Sequence, residues 1–246
     1  MLNTCIIIPC YNEYNRISIN EFLTFLDANL EYYFLFIDDG STDNTFSLLK
    51  ELCAKNDRSC CYRLNENIGK AEAVRYGIQK AKEINTFDYY GYFDADLAIP
   101  LKELNKLYFQ LKESNKIGFC YSSKNANFSN EISQKYKRFL VGRILSKMVK
   151  WSLKIDVYDT QCGCKIMTKE VCEISFNEKF ISTWLFDIEI FWRLIIVYGR
   201  HYIKTNTVEI PLKKLYNTGS SKVSIKDLIN LPIEFYRIHQ YYKKRI

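Results

Sequence analysis

Four short apolar runs alternate with four helical ones across the first half of the chain, and this alternation restricts the fold more than any other feature. "TCIIIP" precedes helical spacing over Ser18 to Leu30, and "YYFLFID" precedes "STDNTFSLLKELCAK". "CCYRL" precedes "GKAEAVRYGIQKAKE", and "FDYYGYFD" precedes "PLKELNKLYFQLKE". Runs that are apolar throughout belong to strands covered on both faces, which predicts an α/β fold with a mostly parallel central sheet flanked by helices. In doubly wound sheets of this kind, ligands bind beyond the carboxyl ends of the strands. The 246 residues, 48% hydrophobic and 15% aromatic, suffice for one domain with a full core. No repeat, low-complexity tract or linker divides them, so the expected unit is a single domain over 1–246.

Each apolar run ends in polar residues. The first runs into Pro9, Tyr11, Asn12 and Glu13; the second into "DDGSTD", with Asp38, Asp39, Gly40, Ser41 and Asp43. The third leads to Asn67, Gly69 and Lys70, and the fourth to Asp94-Ala-Asp96. A parallel sheet brings these ends to one edge. Converging carboxylates raise one another's pKa or call for a cation, and Mg²⁺ or Mn²⁺ typically uses one or two carboxylates together with substrate phosphates. Metal-bridged binding of a diphosphate is the chemistry this suggests, with Asp38 or Asp39 placed to accept hydrogen bonds from a base or ribose. Taken singly, each piece is weak. A lone D-x-D is more often a surface turn, "DDGSTD" reads equally as a turn with Ser41 or Asp43 capping a helix, and Gly69-Lys70 lacks phosphate-loop spacing. Their order and shared position carry the reading.

Composition removes other classes. "MLNTCIIIPCYNE" has no basic start and too short an apolar run for a signal peptide, so the nine cysteines read as reduced thiols. Cys162-Gly-Cys164 has no second pair at metal-site spacing, and His201 and His239 are the only histidines, which argues against zinc and against a His-based triad. The net charge of +7 suits an anionic partner, but acids at the strand ends would repel a nucleic-acid backbone. No apolar run reaches the length of a membrane span.

Past about Tyr121 the alternation breaks. "SSKNANFSNEIS" reads as a loop, "GCKIMT" and "YIKTNTVEIPL" as strands, and "WLFDIEIFWRLIIVYG" as an apolar helix containing two acids. Residues 134–155 and Ser224 to Ile246 are basic amphipathic stretches. Each suits either the surface of an anionic membrane or, as the plainer reading, a core-facing helix with a solvated face or a polar tail.

The motifs "IIIPCYNE", "FIDDGSTDNT", "NENIGKAEAVRYGI" and "YFDADLAIP" closely resemble the inverting family-2 glycosyltransferases. "DTQCGCKIM", "WLFDIEI" and "GSSKV" resemble the branch that glycosylates dolichyl or other polyprenyl phosphates. The resemblance covers nearly the whole chain. It implies a nucleotide-diphospho-sugar transferase fold of the GT-A type, with 1–121 binding a nucleotide-sugar donor and 122–246 the acceptor. It implies that Pro9, Tyr11, Glu13 and Asp39 line the nucleoside pocket with Asp38 beside them, and that Lys70 and Arg75 lie near the nucleotide-sugar. Asp94 would touch the ribose or sugar and assist the metal, and Asp96 would be the main ligand of Mg²⁺ or Mn²⁺. Arg138 and Lys222 would face acceptor or donor phosphate. Ala98 stands where related mannosyltransferases carry Gln, which removes one side-chain ligand. UDP-glucose is the favoured donor. Many relatives carry membrane spans, whereas this chain ends at "YYKKRI" without one. The placement implied is peripheral, on the cytoplasmic face of a membrane, alone or with a separate membrane partner, unless the acceptor is soluble.

Inverting transfer needs no covalent enzyme intermediate. A polyprenyl phosphate acceptor is already anionic near neutral pH, whereas the alternative acceptor, a sugar hydroxyl in polysaccharide, lipopolysaccharide or glycolipid assembly, needs a general base. Asp187 and Glu189 lie about 200° apart around a helix, and Glu189 has a favourable spacing to Arg193. That leaves Asp187 as the base or an orienter of the acceptor. Asp159 is a further candidate, or else a turn cap.

Overall fold

A computed structural model of the chain describes residues 2–124, 134–216 and 225–246; within the two latter stretches the side chains of 134–141 and 225–229 are not described. The alternation in the first half becomes β1 (Thr4–Cys10), α1 (Ile19–Ala28), β2 (Tyr32–Asp38), α2 (Thr45–Cys53), β3 (Ser59–Arg63), α3 (Lys70–Ile84), β4 (Tyr89–Phe93) and α4 (Lys102–Glu113). The second half supplies β5 (Phe119–Ser123), α5 (Gln134–Leu153), β6 (Cys164–Thr168), α6 (Lys169–Phe176), α7 (Phe186–Asn206), β7 (Thr207–Pro211) and α8 (Ile225–Lys243).

The seven strands form one sheet in the order β3-β2-β1-β4-β6-β5-β7. The first four are parallel, while β6 runs antiparallel to both β4 and β5, and β7 is parallel to β5. Side chains alternate faces along a strand, so each buried strand feeds two cores. Cys5 and Ile7 of β1 join Leu35 and Ile37 of β2 on the face covered by α3, α6 and α7. Ile6 and Ile8 join Phe34 and Phe36 on the other face, where α1 inserts Phe22 edge-on between those rings at 5.7 and 5.2 Å. The close fit of α3 comes from its small residues. A Cβ added at Gly77 would lie 2.5 Å from the Ile7 side chain.

Two expectations for the second half change. "YIKTNTVEIPL" is a strand only from Thr207; α7 continues through Tyr202 and Ile203 to Asn206 after a kink at Gly199, where φ is 79°. The run "FCYSS" is β5, so Ser122 and Ser123, expected to open a loop, lie in a strand, while 125–133 of that expected loop fall outside the described residues; Lys169–Phe176 is a helix. Three helices are tied together behind the sheet. The Tyr242 hydroxyl of α8 bridges Arg193 (3.1 Å) and Glu189 (2.9 Å) of α7, and Ser152 of α5 meets His239 of α8 at 2.7 Å. The nine cysteines are all free thiols. No described helix is long and apolar enough to cross a membrane.

Candidate active site

The carboxyl ends of β1, β2 and β3 are stitched into one cradle. The Asp39 amide donates to the Cys10 carbonyl at 2.7 Å, and the Asn12 amide to the Ser41 hydroxyl at 2.9 Å. Asn12 takes a left-handed φ of 50° and accepts from the Thr42 amide at 2.8 Å, while the Glu13 amide donates to the Thr45 hydroxyl at 2.8 Å. Ser41 thus works across the loops. Asp43 accepts the Thr45 amide at 3.0 Å, in the first turn of α2. Asp39 accepts the Ile68 and Gly69 amides at 2.8 and 3.0 Å, which fixes the loop leading to α3. Gly40, at φ 68°, lets that loop approach: a Cβ there would lie 2.5 Å from the Glu66 carbonyl carbon. Asp38 is fully buried beneath the turn, accepting the Ser41 amide at 3.2 Å and facing Arg63 at 3.2 Å. Pro9 is half-buried at the end of β1, Glu13 is buried, and Tyr11 stands exposed at the rim.

Burial raises Asp39 to about 6, against the downward pull of its two amide donors and with a further push from Asp38. A carboxyl whose folded pKa exceeds its unfolded value binds more protons in the folded state. Its contribution to stability therefore falls as pH rises from roughly 4 to about 6, and is flat above. The cradle has the opposite preference, because only the carboxylate accepts both amides. If the cradle is the nucleoside pocket that the sequence resemblance implies, affinity for a nucleotide-sugar is expected to fall as pH drops through about 6, and Asp39→Asn to remove that dependence. Calorimetric titration between pH 5 and 7.5 reads this directly, and a flat wild-type profile would refute it.

The acidic pair at the end of β4 lies beside the cradle. Asp94 pairs with Lys70, the first residue of α3, at 2.6 Å, and its amide donates to the Gly163 carbonyl at 3.0 Å. Its carboxylate lies so close to Gly163 that a Cβ there would fall 1.9 Å from it. Asp96 accepts the Ala98 amide at 3.1 Å and pairs with Arg16, whose other arm lies 3.3 Å from Glu13. Burial would lower Lys70, but Asp94, Asp187 and Asp96 outweigh it and hold the ammonium protonated. Among the described residues, no group of three or more His, Cys, Asp or Glu could hold a metal by itself. Two part-exposed carboxylates are nevertheless the donor set that suits a hard divalent ion completing its shell with water and phosphate.

Beneath this pair lies a buried polar layer. Asp187, in the first turn of α7, accepts from the Tyr92 hydroxyl and pairs with Lys165 of β6 at 2.8 Å. Lys165 is fully buried and also donates to the carbonyls of Thr160 and Cys162 at 2.9 and 2.5 Å. Asp159 accepts the Lys124 and Gln161 amides at 3.1 and 2.9 Å, and its own amide donates to Glu209 at 2.8 Å. Arg75 is held by Glu72 at 2.7 Å, and Glu72 accepts the Phe180 amide at 2.9 Å. Arg138 lies in α5 with its side chain outside the described residues, and Lys222 is outside them altogether.

The edge thus brings together Pro9, Tyr11, Glu13, Asp39, Lys70, Asp94 and Asp96, with Asp187 behind them. Arg16 and Lys165 are absent from the sequence-derived set. A cation three residues after Glu13, and one inside an otherwise apolar strand, were the available signals.

The family model described as Glycosyl transferase family 2 matches residues 5–175. The dolichyl-phosphate beta-glucosyltransferase of Dictyostelium discoideum is 28% identical over 249 residues, spanning 94% of this chain and 74% of that protein. The human protein of the same name is 27% identical over 234 residues, spanning 89% and 69%. Among solved structures, glucosyl-3-phosphoglycerate synthase from Mycobacterium tuberculosis, in complex with Mn²⁺, uridine-diphosphate and glucosyl-3-phosphoglycerate, superposes with a TM-score of 0.64. It is 16% identical and covers 99% of this chain and 80% of that one, a likeness of fold that bears out the GT-A-type architecture.

Proposed function

The chain belongs to glycosyl transferase family 2, and on that footing we propose that it transfers a hexose, with inversion, from a nucleotide-sugar to a polyprenyl phosphate. Glucose is the favoured sugar, by similarity to relatives named dolichyl-phosphate beta-glucosyltransferase, and UDP is the carrier that the sequence resemblance favours. The stitched cradle around Asp39, with Pro9, Tyr11 and Glu13, would take the nucleoside. Lys70 would face the diphosphate, with Arg75 behind it on α3.

One observation carries the choice of acceptor: each candidate base is already engaged, Asp187 through one carboxylate oxygen in a buried pair and Asp159 through both of its oxygens. Asp187 is bound by Lys165 and Tyr92, and Asp159 by two backbone amides. A hydroxyl acceptor must lose a proton to a base within reach, whereas a phosphate monoester needs only positive charge around it. Arg138 and Lys222 are proposed for that role.

Asp96, assisted by Asp94, would hold Mg²⁺ or Mn²⁺. When bound, the ion neutralises charge developing on the departing nucleoside diphosphate. What the chain itself supplies is position: Asp94 packs against Gly163 and pairs with Lys70, and the Ala98 amide orients the carboxylate of Asp96.

A peripheral position on a membrane is supported by an apolar groove between α5 and α8, lined by Met148, Trp151, Phe235 and Tyr236 with Lys147 at its side. Trp151 and Tyr236 are 67% and 62% exposed, large amphipathic rings of the kind favoured at membrane interfaces. The test is product analysis with UDP-glucose, Mn²⁺ and polyprenyl phosphate in anionic vesicles. A lipid-linked sugar is expected. The double variant Trp151→Ala, Tyr236→Ala should lose roughly tenfold with vesicles and far less with detergent-solubilised acceptor. Absence of any lipid product with common donors would reject the acceptor assignment, and equal losses in both formats would reject the groove.

A further inference from the structure

Arg16 sits where a metal ion would compete with it. Its guanidinium spans two carboxylates, touching Asp96 with one arm and lying 3.3 Å from Glu13 with the other. The residue lies in the turn after β1, its amide donating to the Glu13 carbonyl at 2.8 Å, so the backbone holds it opposite the end of β4. Its side chain is 23% exposed, and its buried Nε has no hydrogen-bond partner among the described residues. A buried donor left in this way favours any rearrangement that gives it an acceptor.

We propose that Arg16 is an internal counter-cation that holds Asp96 while the site is empty and yields it only when metal and nucleoside diphosphate arrive together. This rests on the reading of Asp96 as a metal ligand. The charges explain the coupling. Arg16 already faces Glu13 and Asp96, and Lys70 already faces Asp94, so two fixed cations stand at the acids a metal would use. A divalent ion entering alone would lie against those two cations in a partly dehydrated cleft, where like charges repel strongly. A diphosphate entering with the ion brings at least two negative charges to offset it, and offers the displaced guanidinium the bidentate oxygen acceptor that its planar fork suits.

The test measures Mn²⁺ binding by the loss of the free-ion paramagnetic resonance signal, with and without uridine diphosphate, in the full chain and in Arg16→Gln, Arg16→Lys and Asp96→Asn. In the parent, Mn²⁺ alone should bind weakly and Mn²⁺ with nucleotide well. Arg16→Gln should bind Mn²⁺ alone roughly tenfold more tightly than the parent, while Arg16→Lys, which keeps the charge, should stay close to it. An unchanged nucleotide-free affinity in Arg16→Gln, with a normal thermal melt, overturns the proposal. So do equal gains in both Arg16 variants, since it is the charge that we assign the role. If Asp96→Asn binds Mn²⁺ with nucleotide as well as the parent does, the metal assignment itself fails, and the counter-cation role with it.

Discussion

Asp96→Ala is expected to lower metal-stimulated transfer by about three orders of magnitude, some 4 kcal/mol of transition-state stabilisation, the scale reached when a main electrostatic contact to developing charge is removed. The fold should survive. Asp96 is part-exposed and its pairing with Arg16 lies near the surface, where such pairs contribute about 0–1 kcal/mol, so the melting temperature should move by only a few degrees. The two acids should also differ. Asp94 is wedged against Gly163 and neutralised by Lys70, an arrangement suited to orienting a hydroxyl of the sugar or ribose. Asp94→Asn preserves shape and one acceptor oxygen, and should cost roughly tenfold to a hundredfold, mostly in the donor KM. Steady-state kinetics at several Mn²⁺ concentrations separate the two cases. An Asp96→Ala enzyme retaining more than about a tenth of parental kcat/KM would remove this residue from the metal site.

These acids were legible in the sequence because each interrupts an apolar run at its carboxyl end, and the parallel sheet does the rest. Asp39 shows the same logic with a different outcome. Its carboxylate is taken up by the Ile68 and Gly69 amides, a commitment set by a loop 29 residues away in sequence. Arg16 was hidden because a cation in a polar turn is ordinary by itself, and only the crossover that places β4 beside β1 brings Asp96 to it. β5 is not evident from the local pattern for a similar reason. "FCYSS" is short and half polar, and its partners β6 and β7 come more than 40 residues later. "YIKTN" failed in the opposite way. Its aromatic and β-branched residues favour a strand, but burial of Ile203 and contact of Tyr202 with Gly118 keep it helical. The expected pairing of Glu189 with Arg193 took a modified form. The two share the Tyr242 hydroxyl, while Glu189 also accepts the Ile181 and Ser182 amides at 3.0 and 2.9 Å.

The largest loss of stability is expected at Asp187 and Lys165. Both side chains are nearly or wholly inaccessible, and the lysine ammonium has three acceptors: the Asp187 carboxylate and the Thr160 and Cys162 carbonyls. Removing one partner strands the other charge in a low-dielectric layer, which costs about 3–5 kcal/mol and is a large share of the 5–15 kcal/mol typical of a domain. Asp187→Ala should therefore unfold at a markedly lower urea concentration than the parent, and Lys165→Met likewise. The combination Lys165→Met with Asp187→Leu removes both charges at once and should recover much of the loss, because what each single variant pays is the uncompensated ion. Tyr92 would still lack an acceptor, so recovery stays incomplete. Asp187→Asn separates this structural role from that of a base. It keeps an acceptor oxygen for Tyr92 and Lys165 but still strands the ammonium, so it should also be destabilised; measured on the folded fraction, a positioning residue should keep turnover within about tenfold of the parent, whereas a base would lose several orders of magnitude. Single variants that melt like the parent would show that the pair does not hold the site together. An Asp187→Asn enzyme that folds normally yet is inert would return the residue to catalysis, and with it the case for a hydroxyl acceptor.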